Sequence, residues 1–95
     1  MWKEYEQGRG RSYTEALAGF AATHVFEFDK RHLDSSDAVV LALPAGKSGH
    51  MELGYCLGKG LPGYILLEDG VDRWDVMYKF ADGVFTSVDE LLKAL

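Results

Sequence analysis

The residues best suited to chemistry lie in one segment, residues 44–55, where a Gly-Lys-Ser-Gly loop precedes His50 and Glu52. The first amides of a helix have no intrahelical partner, so a helix that begins in this loop would present free N–H donors to an anion. Lys47 would add positive charge, and Glu52 would lie about one turn inside the helix. The segment therefore predicts one pocket that combines an anion site with a carboxylate.

Three other chemical interpretations of this segment fail on spacing. The triplet at residues 46–48 resembles the end of a P-loop, but Leu41 stands where that motif needs a glycine. The His-x-Glu pattern that ends at Glu52 opens a zinc-deaminase motif, but no Pro-Cys-x-x-Cys follows. Cys56 is too far along a helix from His50 for the two side chains to meet. We therefore expect no metal, no cofactor and no cysteine nucleophile.

The elements that position this segment follow from hydrophobic patterns. Residues 38–43 form a short apolar run, which we interpret as a central parallel strand buried on both faces. Residues 50–59 have helical spacing, and residues 63–67 supply a second strand. This order predicts a right-handed βαβ unit with parallel strands. Open α/β sheets bind ligands beyond the carboxyl ends of their strands, which is where the Gly loop would lie.

Helices are also predicted on both sides of this unit. Residues 1–12 are polar and are interpreted as an N-terminal arm or loop. A capping box begins the next helix at Ser12, and residues 21–36 have an apolar stripe that predicts a helix with one buried face. That stripe comprises Val25, Phe28, His32 and Leu33.

Towards the C-terminus the sequence predicts a short helix over residues 76–80, a brief strand over residues 83–85 and a capped helix that begins at Ser87. Residues 13–95 thus form one predicted domain. Its fold class is α/β, a small Rossmann- or flavodoxin-like three-layer domain with a short parallel sheet.

Composition and charge restrict the partners. Fifteen acidic and ten basic residues give a formal net charge of −5, which disfavours a nucleic-acid polymer but not a small nucleotide. A single cysteine forms no internal disulfide, and no apolar run reaches the roughly 20 residues that span a bilayer. The N-terminus is too polar for a signal peptide. We therefore expect a cytoplasmic protein without membrane contact.

Residues 33–55, LDSSDAVVLALPAGKSGHMELGY, are similar to the strand, loop and Glu-Leu-Gly-Tyr/Trp helix of the nucleoside 2-deoxyribosyltransferase-like family. The similarity extends more weakly to Asp29 and to Met77-Tyr78. It implies that Glu52 attacks C1′ of a nucleoside or nucleotide and that Asp29 contacts or protonates the departing base. It also implies a set of substrate-binding residues, namely Gly46, Lys47, Ser48, Gly49 and Tyr78.

Members of that family begin with an apolar strand and a substrate-contacting turn, whereas residues 1–7 are polar. We therefore expect the sheet to lack the first family strand and a second copy of the chain to complete the site, in a homo-oligomer. The expected function is N-glycosidic bond cleavage or deoxyribosyl transfer on a nucleoside or nucleoside 5′-monophosphate. A catalytically inactive nucleotide-binding module and a structural subunit of an oligomer are the alternatives.

Overall fold

The structure, a computed structural model, describes residues 1–95, which form two compact units. The first unit is Met1–Ser35 and contains only helices, and the second is Ser36–Leu95 and contains the sheet. No strand precedes Val39. A domain boundary between residues 12 and 13 stays a prediction.

The N-terminal unit consists of three helices, α1 (Trp2–Gly8), α2 (Tyr13–Leu17) and α3 (Phe20–Asp34). The polar start of the chain is therefore helical where an arm or loop is expected. In α1 the residue Glu6 is 2% exposed, and its carboxylate lies 3.3 Å from an Arg9 nitrogen and 3.6 Å from Arg11 Nε. Burial of a carboxylate costs solvation free energy unless cations or hydrogen-bond donors offset it. The two guanidinium groups provide this compensation for Glu6.

The capping box that begins α2 is present. Ser12 Oγ accepts a hydrogen bond from the Glu15 N–H, and the Glu15 carboxylate accepts one from the Ser12 N–H. The predicted helix at residues 21–36 is also present as α3, but its apolar stripe is not buried. Val25 and Phe28 are 47% and 51% exposed, because the five-residue helix α2 is too short to cover the length of α3.

The C-terminal unit alternates strands and helices around a three-stranded sheet. Its elements are β1 (Val39–Ala42), α4 (Lys47–Gly58), β2 (Gly63–Leu66), a 3₁₀ helix (Val76–Phe80), β3 (Gly83–Phe85) and α5 (Val88–Ala94). The strands are all parallel, in the order β1-β2-β3. This confirms the predicted α/β class with a short parallel sheet. The Ser87 hydroxyl accepts the Glu90 N–H at the start of α5, as its sequence predicts.

The core lies between α4 and the sheet. Leu41, Leu43, Leu53 and Ile65 form its buried centre. Gly63 allows α4 to approach β2 closely, because a Cβ at this position would lie 2.7 Å from Leu57 Cδ2 and 2.9 Å from Leu53 Cδ1. The close approach fixes α4, and with it the loop that precedes α4, relative to the sheet.

The position of β1 in the sheet differs from the prediction. The strand is at the edge and pairs only with β2, so β2 is the central strand. Only one face of β1 is buried: Leu41 is in the core, whereas Val40 is 39% exposed and Ala42 is exposed. The interpretation of this run as a central strand buried on both faces is therefore wrong, because no further strand or helix of the unit covers its second face.

None of the helices combines the length and the apolar composition that a bilayer crossing requires.

Candidate functional site

The loop after β1 leads directly into α4 and lines a cavity of about 650 Å³. Three of the predicted substrate-binding residues, Gly46, Lys47 and Tyr78, line this cavity together. Arg73 also lines it and donates a hydrogen bond of 2.8 Å to the Ala45 carbonyl, which ties the segment before the 3₁₀ helix to the Gly loop. We call this space the loop cavity. The sequence alone does not single out Arg73, because its bond joins positions 28 residues apart.

The charges around the loop cavity are mixed. Lys47 and Arg73 provide two cations, while Asp72 and Asp75 provide two carboxylates. Lys47 and the first amides of α4 favour an anionic ligand group on their side of the cavity.

Both ring nitrogens of His50 have hydrogen-bond partners, and Nε2 links α4 to the 3₁₀ helix. Nδ1 lies 2.8 Å from the Gly46 carbonyl oxygen, and Nε2 lies 2.9 Å from the Tyr78 hydroxyl. A carbonyl oxygen only accepts, so Nδ1 carries the proton and the Nε2 of the neutral ring accepts from the Tyr78 hydroxyl. The rings are stacked, with centroids 5.7 Å apart. This pair orients Tyr78, the residue that the resemblance assigns to substrate binding.

Glu52 lies on a different face of α4 from this pair. It is exposed and lines none of the cavities described for the C-terminal unit. Two residues of an α-helix correspond to a rotation of about 200°, so Glu52 points away from His50 and from the 3₁₀ helix. Ser48, four residues earlier and also exposed, shares the face of Glu52. The structure therefore divides the predicted site into a Glu52–Ser48 face and a loop cavity.

Gly49 has a packing role in the structure. A Cβ at this position would lie 2.9 Å from Leu41 Cδ1, so glycine lets the first turn of α4 rest on β1. This contact places the Glu52–Ser48 face beside the edge strand of the sheet. Anion binding by the Gly49 amide stays a prediction.

Asp29 is exposed on α3, which belongs to the N-terminal unit. Its predicted contact with the departing base stays a prediction.

No protein-family model, curated protein or solved structure matches the chain. Function is therefore inferred from the geometry of α4 and its loop, together with the motif at residues 33–55.

Proposed function

We propose that the protein cleaves the N-glycosidic bond of a nucleoside or nucleoside 5′-monophosphate, by hydrolysis or by deoxyribosyl transfer, with Glu52 as the nucleophile. One observation carries this proposal. Glu52 is the only acidic residue of α4, and the structure exposes it in the second turn, beside Ser48 and close to the edge of a parallel sheet. The helix α4 follows the carboxyl end of β1, and open α/β sheets bind their ligands beyond the carboxyl ends of their strands.

Compensation of the helix dipole does not account for Glu52. The favourable effect of a carboxylate on the dipole is confined to the first turn of a helix. The first turn of α4 contains no acidic residue, and Glu52 is the sixth residue of the helix. Its position therefore supports a role outside helix stability.

The proposed reaction has two steps. A Glu52 carboxylate oxygen forms a bond to C1′ while the bond from C1′ to the base nitrogen breaks, and its electron pair leaves with the base. A proton from a general acid or from water neutralises the departing base. In the second step a water oxygen forms a bond to C1′ while the bond from C1′ to the Glu52 oxygen breaks, which restores the carboxylate. The attacking water gives one proton to solvent, and the free sugar is released. A second base in place of water gives transfer.

The open setting of Glu52 supports the proposal of a homo-oligomer. A glycosyl ester needs walls that exclude stray water, and the Glu52–Ser48 face lies outside the cavities of the C-terminal unit. A second copy placed along the edge of β1 that pairs with no strand would supply such a wall.

The test is release of free base, followed by chromatography, from a panel of ribo- and deoxyribonucleosides and their 5′-monophosphates. We expect Glu52→Gln to lower the rate at least about a thousandfold, because it removes the nucleophile. Glu27→Gln, at another exposed helical glutamate, serves as the matched control and keeps the wild-type rate. Both variants should change the free energy of unfolding by no more than about 0.5 kcal/mol. Equal rates for wild type and Glu52→Gln would exclude this mechanism.

The loop cavity favours a second candidate, a nucleotide-binding module without turnover. This cavity joins Lys47, Arg73 and the oriented ring of Tyr78, and Glu52 does not line it. A module of this kind binds a nucleoside 5′-monophosphate without releasing base. Its affinity would fall on Lys47→Met and stay unchanged on Glu52→Gln, as measured by calorimetry.

A further inference from the structure

A second and larger cavity lies between α4 and the 3₁₀ helix. Its volume is about 930 Å³, which is within the range of small-molecule sites, and all its lining residues belong to the C-terminal unit. It exists because the connection from β2 to β3 contains only a five-residue 3₁₀ helix, which covers little of the sheet beside α4. We call it the α4 cavity. Glu52 does not line it.

Two glycines of α4 keep this cavity open. Gly54 and Gly58 line it one and two turns after His50, and a Cβ at either position would have no atom within 4 Å. Glycine inside a helix is about 1 kcal/mol less favourable than alanine. Gly63 is explained by the approach of α4 to β2, whereas no neighbour within the chain requires glycine at position 54.

The polar groups of the α4 cavity are mainly acceptors. When the His50 ring is neutral with its proton on Nδ1, the Tyr78 hydroxyl donates to Nε2 and the Tyr78 oxygen retains lone pairs. Asp75 uses one carboxylate oxygen to accept the Met77 N–H at 2.9 Å, and Asp82 uses one to accept the Gly63 N–H at 2.8 Å. In each carboxylate the second oxygen takes no part in these bonds. A ligand must therefore supply hydrogen-bond donors.

The charge of the lining selects against anions. Asp75 and Asp82 are carboxylates, and no lysine or arginine lines the α4 cavity. The remainder of the surface is largely apolar, with Leu53, Leu57 and Ile65 below and Met77 and Phe80 at the side of the 3₁₀ helix. A flat apolar ring with N–H groups at its edge fits this lining, because the ring packs on the apolar side chains and the N–H groups donate to the acceptor oxygens.

We propose that the α4 cavity binds a flat heteroaromatic molecule that is neutral or cationic and carries N–H donors, with its ring on the apolar lining and its donors towards Tyr78, Asp75 and Asp82. The site is distinct from the Glu52–Ser48 face and does not depend on N-glycosidic cleavage. The two carboxylates, without a lysine or arginine in the lining, disfavour a phosphate group there.

The probe for this site is 2-aminobenzimidazole, a flat bicyclic base with N–H donors. The control is 2-naphthoate, which is of similar size but anionic and without such donors. Both are titrated into ¹⁵N-labelled full-length protein, and amide shifts are followed by NMR. We expect saturable shifts at His50, Gly54, Tyr78 and their neighbours with the amine and at least about tenfold weaker binding of the naphthoate.

Variants separate this site from its alternatives. Gly54→Phe fills the cavity and should abolish binding of the amine, while Gly54→Ala, which adds one methyl group in open space, serves as the control for folding and should largely retain it. Tyr78→Phe removes the hydroxyl and should weaken binding about two- to tenfold. Glu52→Gln should bind the amine like wild type even where it loses base release.

Three results would overturn the proposal. Equal binding of the amine and the naphthoate would show that charge does not select the ligand. Unchanged binding of the amine by Gly54→Phe would place it outside the α4 cavity. Dissociation of an oligomer by Gly54→Phe, measured by light scattering, would show that a second copy of the chain occupies the cavity in solution.

Discussion

Substituting Gly63 by alanine tests the packing that positions α4. The added Cβ would lie 2.7 Å from Leu57 Cδ2, 2.9 Å from Leu53 Cδ1 and 3.1 Å from Leu57 Cγ. Leu53 is part of the buried core, so its side chain has little space in which to retreat. Overpacking of this kind typically costs about 1–3 kcal/mol, and we expect Gly63→Ala to lower the free energy of unfolding by about 2 kcal/mol.

Gly54→Ala is the matched control because it makes the same chemical change on the same helix–sheet unit. Its Cβ meets no atom within 4 Å, and alanine is the better helix former. We expect it to raise the free energy of unfolding by about 0.5–1 kcal/mol. Urea unfolding followed by circular dichroism measures both variants. A stability of Gly63→Ala equal to or above that of wild type would show that α4 does not pack on β2 as described.

Two further predictions concern single hydrogen bonds. Asp82→Ala removes the acceptor of the Gly63 N–H and should lower the free energy of unfolding by about 1–3 kcal/mol in the same urea assay; no loss would mean that this bond is not formed in solution. The Ser12 backbone N–H, together with the Ser12 side chain, holds the pKa of Glu15 below its usual range. The pKa of Glu15 is thus lower in the folded than in the unfolded state. Its ionised carboxylate therefore contributes fully to the free energy of unfolding above the unfolded pKa, and this contribution is lost as the pH falls through the folded pKa. An NMR titration of Glu15 against an unfolded peptide of the same sequence checks the direction.

The sequence predicts most of the C-terminal unit because its signals are local. Apolar runs mark β1 and β2, and glycines end α4. The serine cap at Ser87 marks the start of α5 in the same way. Each of these signals depends on residues within one turn or one strand, so they can be recognised without the fold.

The remaining features depend on contacts that the sequence does not display. The run at residues 38–43 is equally apolar in a central and in an edge strand, so its composition does not reveal that β1 has only one strand neighbour. The stripe on α3 has helical spacing, but spacing does not show whether another element covers it. Exposure of Val25 and Phe28 follows from the shortness of α2.

For the candidate site, the motif at residues 33–55 indicates Glu52 and the loop before α4. It does not indicate that Glu52 and the loop cavity lie on different faces of α4. The face shared by Ser48 and Glu52 follows from the four-residue spacing. The pairing of His50 with Tyr78 does not, because 28 residues separate them and the 3₁₀ helix must first be folded against α4. The sequence shows that His50 lies two residues before the candidate Glu52, which marks His50 as a candidate site residue. It does not show that Tyr78 is the hydrogen-bond partner of His50.

The central claim is that Glu52 forms a covalent bond to the sugar, and trapping that bond tests it most directly. Wild-type protein is mixed with the nucleoside or nucleotide that releases base fastest, quenched with acid within the first turnover and digested for mass spectrometry. We predict a glycosyl adduct on the peptide that contains Glu52, absent from Glu52→Gln. Base release at the wild-type rate by Glu52→Gln, with no adduct on this peptide in wild type, would contradict the claim.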